Sequence, residues 1–197
     1  MKKEEILKAL SAPFTMTTES GEVMPAHKWK AQTTKGDGAV CVPYIDARQV
    51  ASRLNEVLGI DSWSDTLIET GESALICELT IVIDGQEVTR SNIGVKSEYA
   101  QQKGMASDAF KRAAAMFGVG AYLYEMQPVK LAKVTKNGKI FPATADGIAL
   151  VTGDELTSYI NLKNPLRAKL IEIFNSLSAE NQKAYSAKFT ELWNLIS

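Results

Sequence analysis

From Asp46 to Gly59 the apolar positions Val50, Leu54, Val57 and Leu58 recur three and four residues apart, the spacing of one helical face, while Arg48, Ser52 and Glu56 project elsewhere. Asp46 is a good N-cap, Gln49 stands three residues on as in a capping box, and Gly59 is a natural stop. The period then changes to two. Trp63–Glu69 reads as a strand, with a turn at Gly71. Leu75, Cys77, Leu79, Ile81 and Ile83 alternate along one face of a longer strand. Asp84-Gly85 signals a type I′ hairpin, and Gln86–Ile93 returns as a third strand ended by Gly94. Helical spacing resumes from about Glu98 to Phe117. Ala106, Phe110, Ala113 and Phe117 lie on one stripe, flanked by Ala109 and Met116, while Lys103, Ser107 and Lys111 fall on another line with Arg112 beside it. Gly104 is a weak spot, compatible with two shorter helices, and Gly118-Val119-Gly120 breaks the pattern before Tyr122-Leu123-Tyr124.

The flanks are less regular. His27–Ala31 and Ala39–Pro43 read as a hairpin around Lys35-Gly36-Asp37-Gly38, and Val129–Phe141 as a second one around Asn137-Gly138, carrying Lys130, Lys133, Lys136 and Lys139. Ala143–Gly153 has the composition of a linker. Beyond it, helices are expected from Glu155, from Pro165 (capped by Asn164) and from Ala179. Leu166, Leu170, Ile173, Phe174 and Leu177 share one face, and Tyr185, Phe189, Leu192, Trp193 and Ile196 form another stripe. The expected class is α+β: an antiparallel meander packed on a long helix, an N-terminal hairpin and a helical C-terminal appendage. The expected divisions are an N-terminal segment 1–24, a core domain 25–142, a linker 143–153 and a helical region 154–197. The opening MKKEEILKAL has a helix-like pattern that equally suits a frayed tail.

The 197-residue chain carries 45% hydrophobic and 23% charged residues, an ordinary globular balance, and is long enough to bury a core without staples. No apolar run approaches the roughly 18 residues of a membrane span, and the N-terminus does not resemble a secretory signal. Cys41 and Cys77 stand singly in apolar surroundings, as buried thiols of a reducing cytoplasm do. His27 is the only histidine, which weighs against Ser-His-Asp triads and histidine metal clusters. There is no G-x-x-x-x-G-K-S/T loop, and Gly118 with Gly120 lacks the third glycine of a dinucleotide fingerprint. An ATP- or NAD-dependent activity therefore has no support in the sequence, and no cofactor is expected.

The formal net charge of −1 hides an asymmetry: residues 49–87 hold 1 basic and 8 acidic side chains, and residues 88–142 hold 9 and 3. A basic block of this kind suits an anionic partner, although the two blocks also neutralise each other if a fold or subunit contact brings them together. Three elements offer cations to a polyanion: the helix line Lys103, Lys111 and Arg112; Arg48 in the first helix's opening turn; and Lys28-Trp29-Lys30. Single-stranded nucleic acid is held by cations along its backbone and flat side chains against its bases, and Lys-Trp-Lys supplies both kinds. Against this, Asp108 precedes Arg112 by four residues, the favoured orientation for an ion pair on one helix. Asp61, Asp65, Glu69 and Glu72 form the densest acidic set, which a metal-dependent nuclease would need and which a solvated face explains as well.

Ser107-Asp108-Ala109-Phe110-Lys111-Arg112-Ala113-Ala114-Ala115-Met116-Phe117-Gly118-Val119-Gly120-Ala121-Tyr122-Leu123-Tyr124 resembles the hallmark S-D-A-x-K-R-A-x-x-x-F-G-x-G-x-Y-L-Y of the Rad-fifty-two superfamily of single-strand annealing proteins, closest to its bacterial DdrA and phage Sak branches. Tyr44-Ile45-Asp46-Ala47-Arg48, followed by Leu54-Asn55-Glu56-Val57 and Gly59 through Trp63, is similar to its other signature, and helix, meander, long helix is its β-β-β-α plan. The resemblance covers about residues 25 to 128 and departs from relatives at Gln49 and Ala121. It implies an oligomeric ring with single-stranded DNA in an outer basic groove, bases outward, and strand annealing without ATP in recombination and double-strand break repair. Lys111 and Arg112 would line the groove floor, with Arg48 close by, and the meander and first helix would make the subunit contacts. End protection of single strands without annealing is the rival within the resemblance. A single-strand-binding protein is a further partner to consider for the helical tail.

Overall fold

A computed structural model describes residues 2–17, 21, 23–96, 102–163, 170, 173–174 and 176–195. Helices and antiparallel sheets make it an α+β protein. The chain parts into two units, each drawn from separated stretches: residues 1–12 with 45–122, and residues 13–44 with 123–197. The early hairpin groups with residues 123–197 because it packs on the helix at residues 153–163 and pairs with the later hairpin.

In the first unit, α1 (Lys3–Ser11) packs on α2 (Ala47–Leu58) and is an ordered helix. Half-buried Arg53 explains the contact. Its Nη1 donates to the carbonyls of Ala9 at 3.1 Å and Ala12 at 2.6 Å, satisfying acceptors that the end of α1 leaves over. The start of α2 follows local chemistry: Gln49 N donates to Asp46 Oδ1 and Asp46 N donates to Gln49 Oε1, both at 3.0 Å. Of the expected core face, Val50 and Leu54 are fully buried, whereas Val57 and Leu58 are half-buried.

Strands β5 (Trp63–Glu69), β6 (Ala74–Ile83) and β7 (Gln86–Val95) form an antiparallel sheet in that order. Asp84 and Gly85 make the β6–β7 turn with φ of 52° and 74°, as a type I′ hairpin requires. Leu75, Cys77, Leu79, Ile81 and Ile83 are all buried on the face that α3 (Gln102–Ala115) covers. The expected first turn from Glu98 lies outside the described residues. Two glycines fit this packing. Gly94 on β7 lies so close to α3 that an added Cβ would collide with the Met105 carbonyl and stand 2.7 Å from Ala109 N. Gly118 (φ 94°) ends α3 in a Schellman motif: Val119 N bonds Ala114 O and Gly118 N bonds Ala115 O.

The second unit opens with a pairing the periodicity did not suggest, β1 (Thr15–Thr17) with β2 (Val23–Pro25). Its main sheet has the order β3 (Lys28–Thr33), β4 (Ala39–Tyr44), β8 (Val129–Lys136), β9 (Lys139–Ala143). Both expected hairpins are therefore present, and β4 with β8 joins them across Ala39–Leu131, Val40–Lys130 and Cys41–Val129. Helix α4 (Gly153–Lys163) covers the edge of β3. It begins in a capping box: Glu155 N donates to Thr152 Oγ1, and Glu155 Oε2 accepts from Val151 N and Thr152 N. The helix expected at Asn164–Pro165, with Leu166, lies largely outside the described residues. In α5 (Ala179–Leu195) only part of the expected stripe is buried. Phe189 packs on Phe174, their rings 4.3 Å apart, while Tyr185, Leu192 and Ile173 are exposed because no described element covers them. The Trp193 side chain and Ile196 lie outside the described residues.

Candidate nucleic-acid interface

The seven cations and aromatics singled out from sequence divide between the two units. Arg48, Lys103, Lys111 and Arg112 belong to the first, Lys28, Trp29 and Lys30 to the second. On α3 the expected stripe is buried at Ala109, Phe110, Ala113 and Phe117, whereas Ala106 is half-buried and Met116 exposed. Phe110, Ala113 and Phe117 are buried, so the helix must turn Lys111 and Arg112 away from the core, where Lys111 is half-buried and Arg112 exposed. Arg112 Nε holds Asp108 Oδ2 at 2.8 Å, the pair anticipated from the spacing of four. Both side chains are substantially exposed, so the pair is of the weak surface kind, in which a competing anion can replace the carboxylate. Arg48, one residue into α2, is exposed.

Lys103 stands apart from these two. It borders a groove of about 650 Å³ shared with Glu69, Glu72, Leu67 and Leu75, where the two carboxylates offset its field. Those acids belong to the set considered for metal chemistry. Asp65 and Glu69 both lie on β5, four residues and thus ~13 Å apart along the strand, too far to grip one ion together. Among the described residues no group of three or more His, Cys, Asp or Glu side chains is placed to hold a metal ion.

In the second unit the Lys-Trp-Lys triplet is put to a different use. Trp29 is fully buried: its Nε1 donates to Asn161 Oδ1 at 2.9 Å, its backbone N donates to Thr157 Oγ1 at 2.9 Å, and His27 meets it edge-on at 5.9 Å. A ring enclosed in this way offers no face to a base, which corrects the stacking role expected of Trp29. Period-two alternation turned the tryptophan inward and left its neighbours outward, and α4 then closed over it. Lys28 Nζ pairs with Asp154 at 3.1 Å, and exposed Lys30 lies 5.5 Å from the Tyr44 ring centroid. The lysine hairpin is partly committed as well. Lys130 holds Asp37 at 2.7 Å, keeping that carboxyl below its ordinary range, and Lys133 Nζ donates to the carbonyls of Thr34 and Gly36.

Sequence reasoning passed over one cation. Arg90 is an exposed residue on β7, on the face that packs against α3, with its guanidinium carbon 6.0 Å from the Phe117 ring centroid. The signal for it was a charge at an alternate position otherwise directed at a helix.

With this geometry in hand, comparison with known proteins decides the family. Residues 7–140 match the Rad52/22 family of double-strand break repair proteins. The chain belongs to that family. Two relatives carry the name single-stranded DNA-binding protein DdrA. The Deinococcus radiodurans protein is 36% identical over 129 residues, covering 64% of this chain and 58% of its own length. The Deinococcus deserti protein is 35% identical over 133 residues, covering 64% and 60%. The chain thus spans about 60% of the length of these curated relatives. Membership includes the stretch that carries Arg48, Lys111 and Arg112, and among the described residues no helix is long and apolar enough to cross a membrane.

Proposed function

We propose that this protein binds single-stranded DNA without reading its sequence and promotes annealing of complementary strands in recombination and double-strand break repair, without ATP and without catalytic residues of its own. The observation that carries the reading is the outward pair Lys111 and Arg112 on α3, within a chain whose relatives are named for single-stranded DNA binding. Fixed cations hold phosphates and leave base edges open, so pairing with a second strand needs no nucleotide hydrolysis. Arg48 belongs to the same reading as a flanking cation. Lys28 and Lys30 are secondary contacts on the other unit, Lys103 is a minor one, and Trp29 has no part in it. Assembly into a ring in the cytoplasm would repeat this basic face around the oligomer and present a continuous track to the strand.

Lys111→Ala and Arg112→Ala should each weaken binding of oligo-dT and lower the slope of log K against log salt by about 0.7 for each lost phosphate contact. An unchanged slope in a folded variant of native oligomeric mass would rule out the α3 surface. The second reading is binding that protects ends without annealing, and the relatives' names, which speak of binding alone, favour giving it equal scrutiny. A strand-pairing assay separates the two: complementary oligonucleotides pair faster with protein present under the first reading and no faster under the second.

A further inference from the structure

We infer that Arg90 is a further phosphate-binding residue of the same surface, placed beside the Phe117 ring at the seam between β7 and α3. This rests on the reading of α3 as the DNA-binding helix.

The placement follows from two contacts. Gly94 abuts Met105 and Ala109 at one end of the seam, and Arg90 lies over Phe117 at the other. From Gly94 back to Arg90 is ~13 Å of strand, and from Ala109 on to Phe117 is ~12 Å of helix. Strand and helix therefore run side by side in opposite senses. Met105, Ala109 and Arg112 fall at i, i+4 and i+7, on one helical stripe. The first two face β7, so Arg112 leaves α3 on the β7 side, between the levels of Gly94 and Arg90. The two arginines thus rise from opposite sides of one seam.

The state of Arg90 suits an anion. The residue is exposed, and its Nη1 donates to Thr89 O at 3.2 Å. Among the described residues no carboxylate forms an ion pair with it, whereas Lys28, Arg112, Lys130 and Lys188 each have one. Asp65 shares its face of the sheet but lies two strands away, with buried Leu79 between them. Thr89 O takes one donor of the fork, and the remaining donors are of the kind that grips phosphate oxygens in pairs. Lysine in that place would keep the charge and lose the fork.

The test is oligo-dT binding to the whole chain at several salt concentrations. One lost phosphate contact, at a slope of 0.7, predicts for Arg90→Ala an affinity loss of roughly eightfold at 50 mM salt and threefold at 200 mM. Arg90→Lys should recover part of this. Phe117→Leu, which keeps an apolar core residue but removes the ring, should fall between wild type and Arg90→Ala. An Arg90→Ala protein of native circular dichroism and oligomeric mass with an unchanged salt slope overturns the inference and leaves the arginine to guard an edge strand against pairing. Lys111→Ala and Arg112→Ala, run alongside, separate the two failures. If they lower the slope and Arg90→Ala does not, only the role of Arg90 falls. If none of the three does, the reading of α3 falls too.

Discussion

At Gly94 a single methyl group has nowhere to go. The space it would take is held by the backbone of Met105 and Ala109, and neither can swing aside as a side-chain tip would. Gly94→Ala is therefore expected to cost about 1–3 kcal/mol by forcing β7 and α3 apart. A lower urea midpoint with an unchanged m-value would register this, and a midpoint equal to wild type would mean the seam has slack. The residue scale is also where sequence and structure part most sharply. Lys111 and Arg112 were legible because helical spacing shows which residues face away from a core of Phe110, Ala113 and Phe117. Trp29 was not, because what encloses it, Thr157 and Asn161, stands 128 and 132 residues further along. A tryptophan between two lysines reads as a surface until the helix that covers it is known. The thiols followed the simpler rule: burial among apolar groups pushes Cys41 and Cys77 up to about 11, as expected of inert core cysteines.

Among the elements, α4 carries a pH dependence in its first turn. Glu155 accepts two backbone N–H bonds there, from Thr152 and Val151, which lowers its pKa below the ordinary 4.5. A lowered folded-state value means stability that is fully present above the unfolded pKa and lost as the pH falls through the folded one. Glu155→Gln keeps an acceptor for the capping box but no longer titrates. The urea midpoint of the wild type should thus drop more steeply than the variant's between about pH 5 and pH 3. Parallel curves would remove the capping carboxylate from the acid response. Asp37, lowered by Lys130, adds to that response in both proteins and keeps the variant's curve from becoming flat. Elements of this local kind were the ones open to prediction. The box at Asp46 and Gln49, the type I′ turns at Asp84-Gly85 and Asn137-Gly138, and the alternation from Leu75 to Ile83 all depend on neighbours within a few residues. The pairing of β4 with β8 and the seating of α4 on β3 depend on residues about a hundred apart, and no periodicity records them.

For the molecule as a whole, the chain passes between its two units three times, after residues 12, 44 and 122. Neither unit is a contiguous piece that a simple truncation would isolate. Removing residues 153–197 should leave β5–β7 and α3 protected from amide hydrogen exchange, while β3 and β4, stripped of α4, lose protection. Equal protection of β3 in the shortened chain would show that its sheet closes without the helix. The same division suits the proposed function, since Lys111, Arg112, Arg48 and Arg90 all belong to the unit whose residues end at Tyr122.

The bond from Trp29 to Asn161 also sets a timetable. A chain leaving the ribosome at roughly 5–20 residues per second makes Trp29 about 7 to 26 seconds before it makes Asn161. Late in that interval, once Tyr122 has been made, the first unit can close on its own residues, whereas the early hairpin still waits with a large aromatic side chain and an uncovered strand edge in water. A nascent chain stalled in this window exposes one half of the protein to chaperones and to neighbouring chains after the other half has already folded.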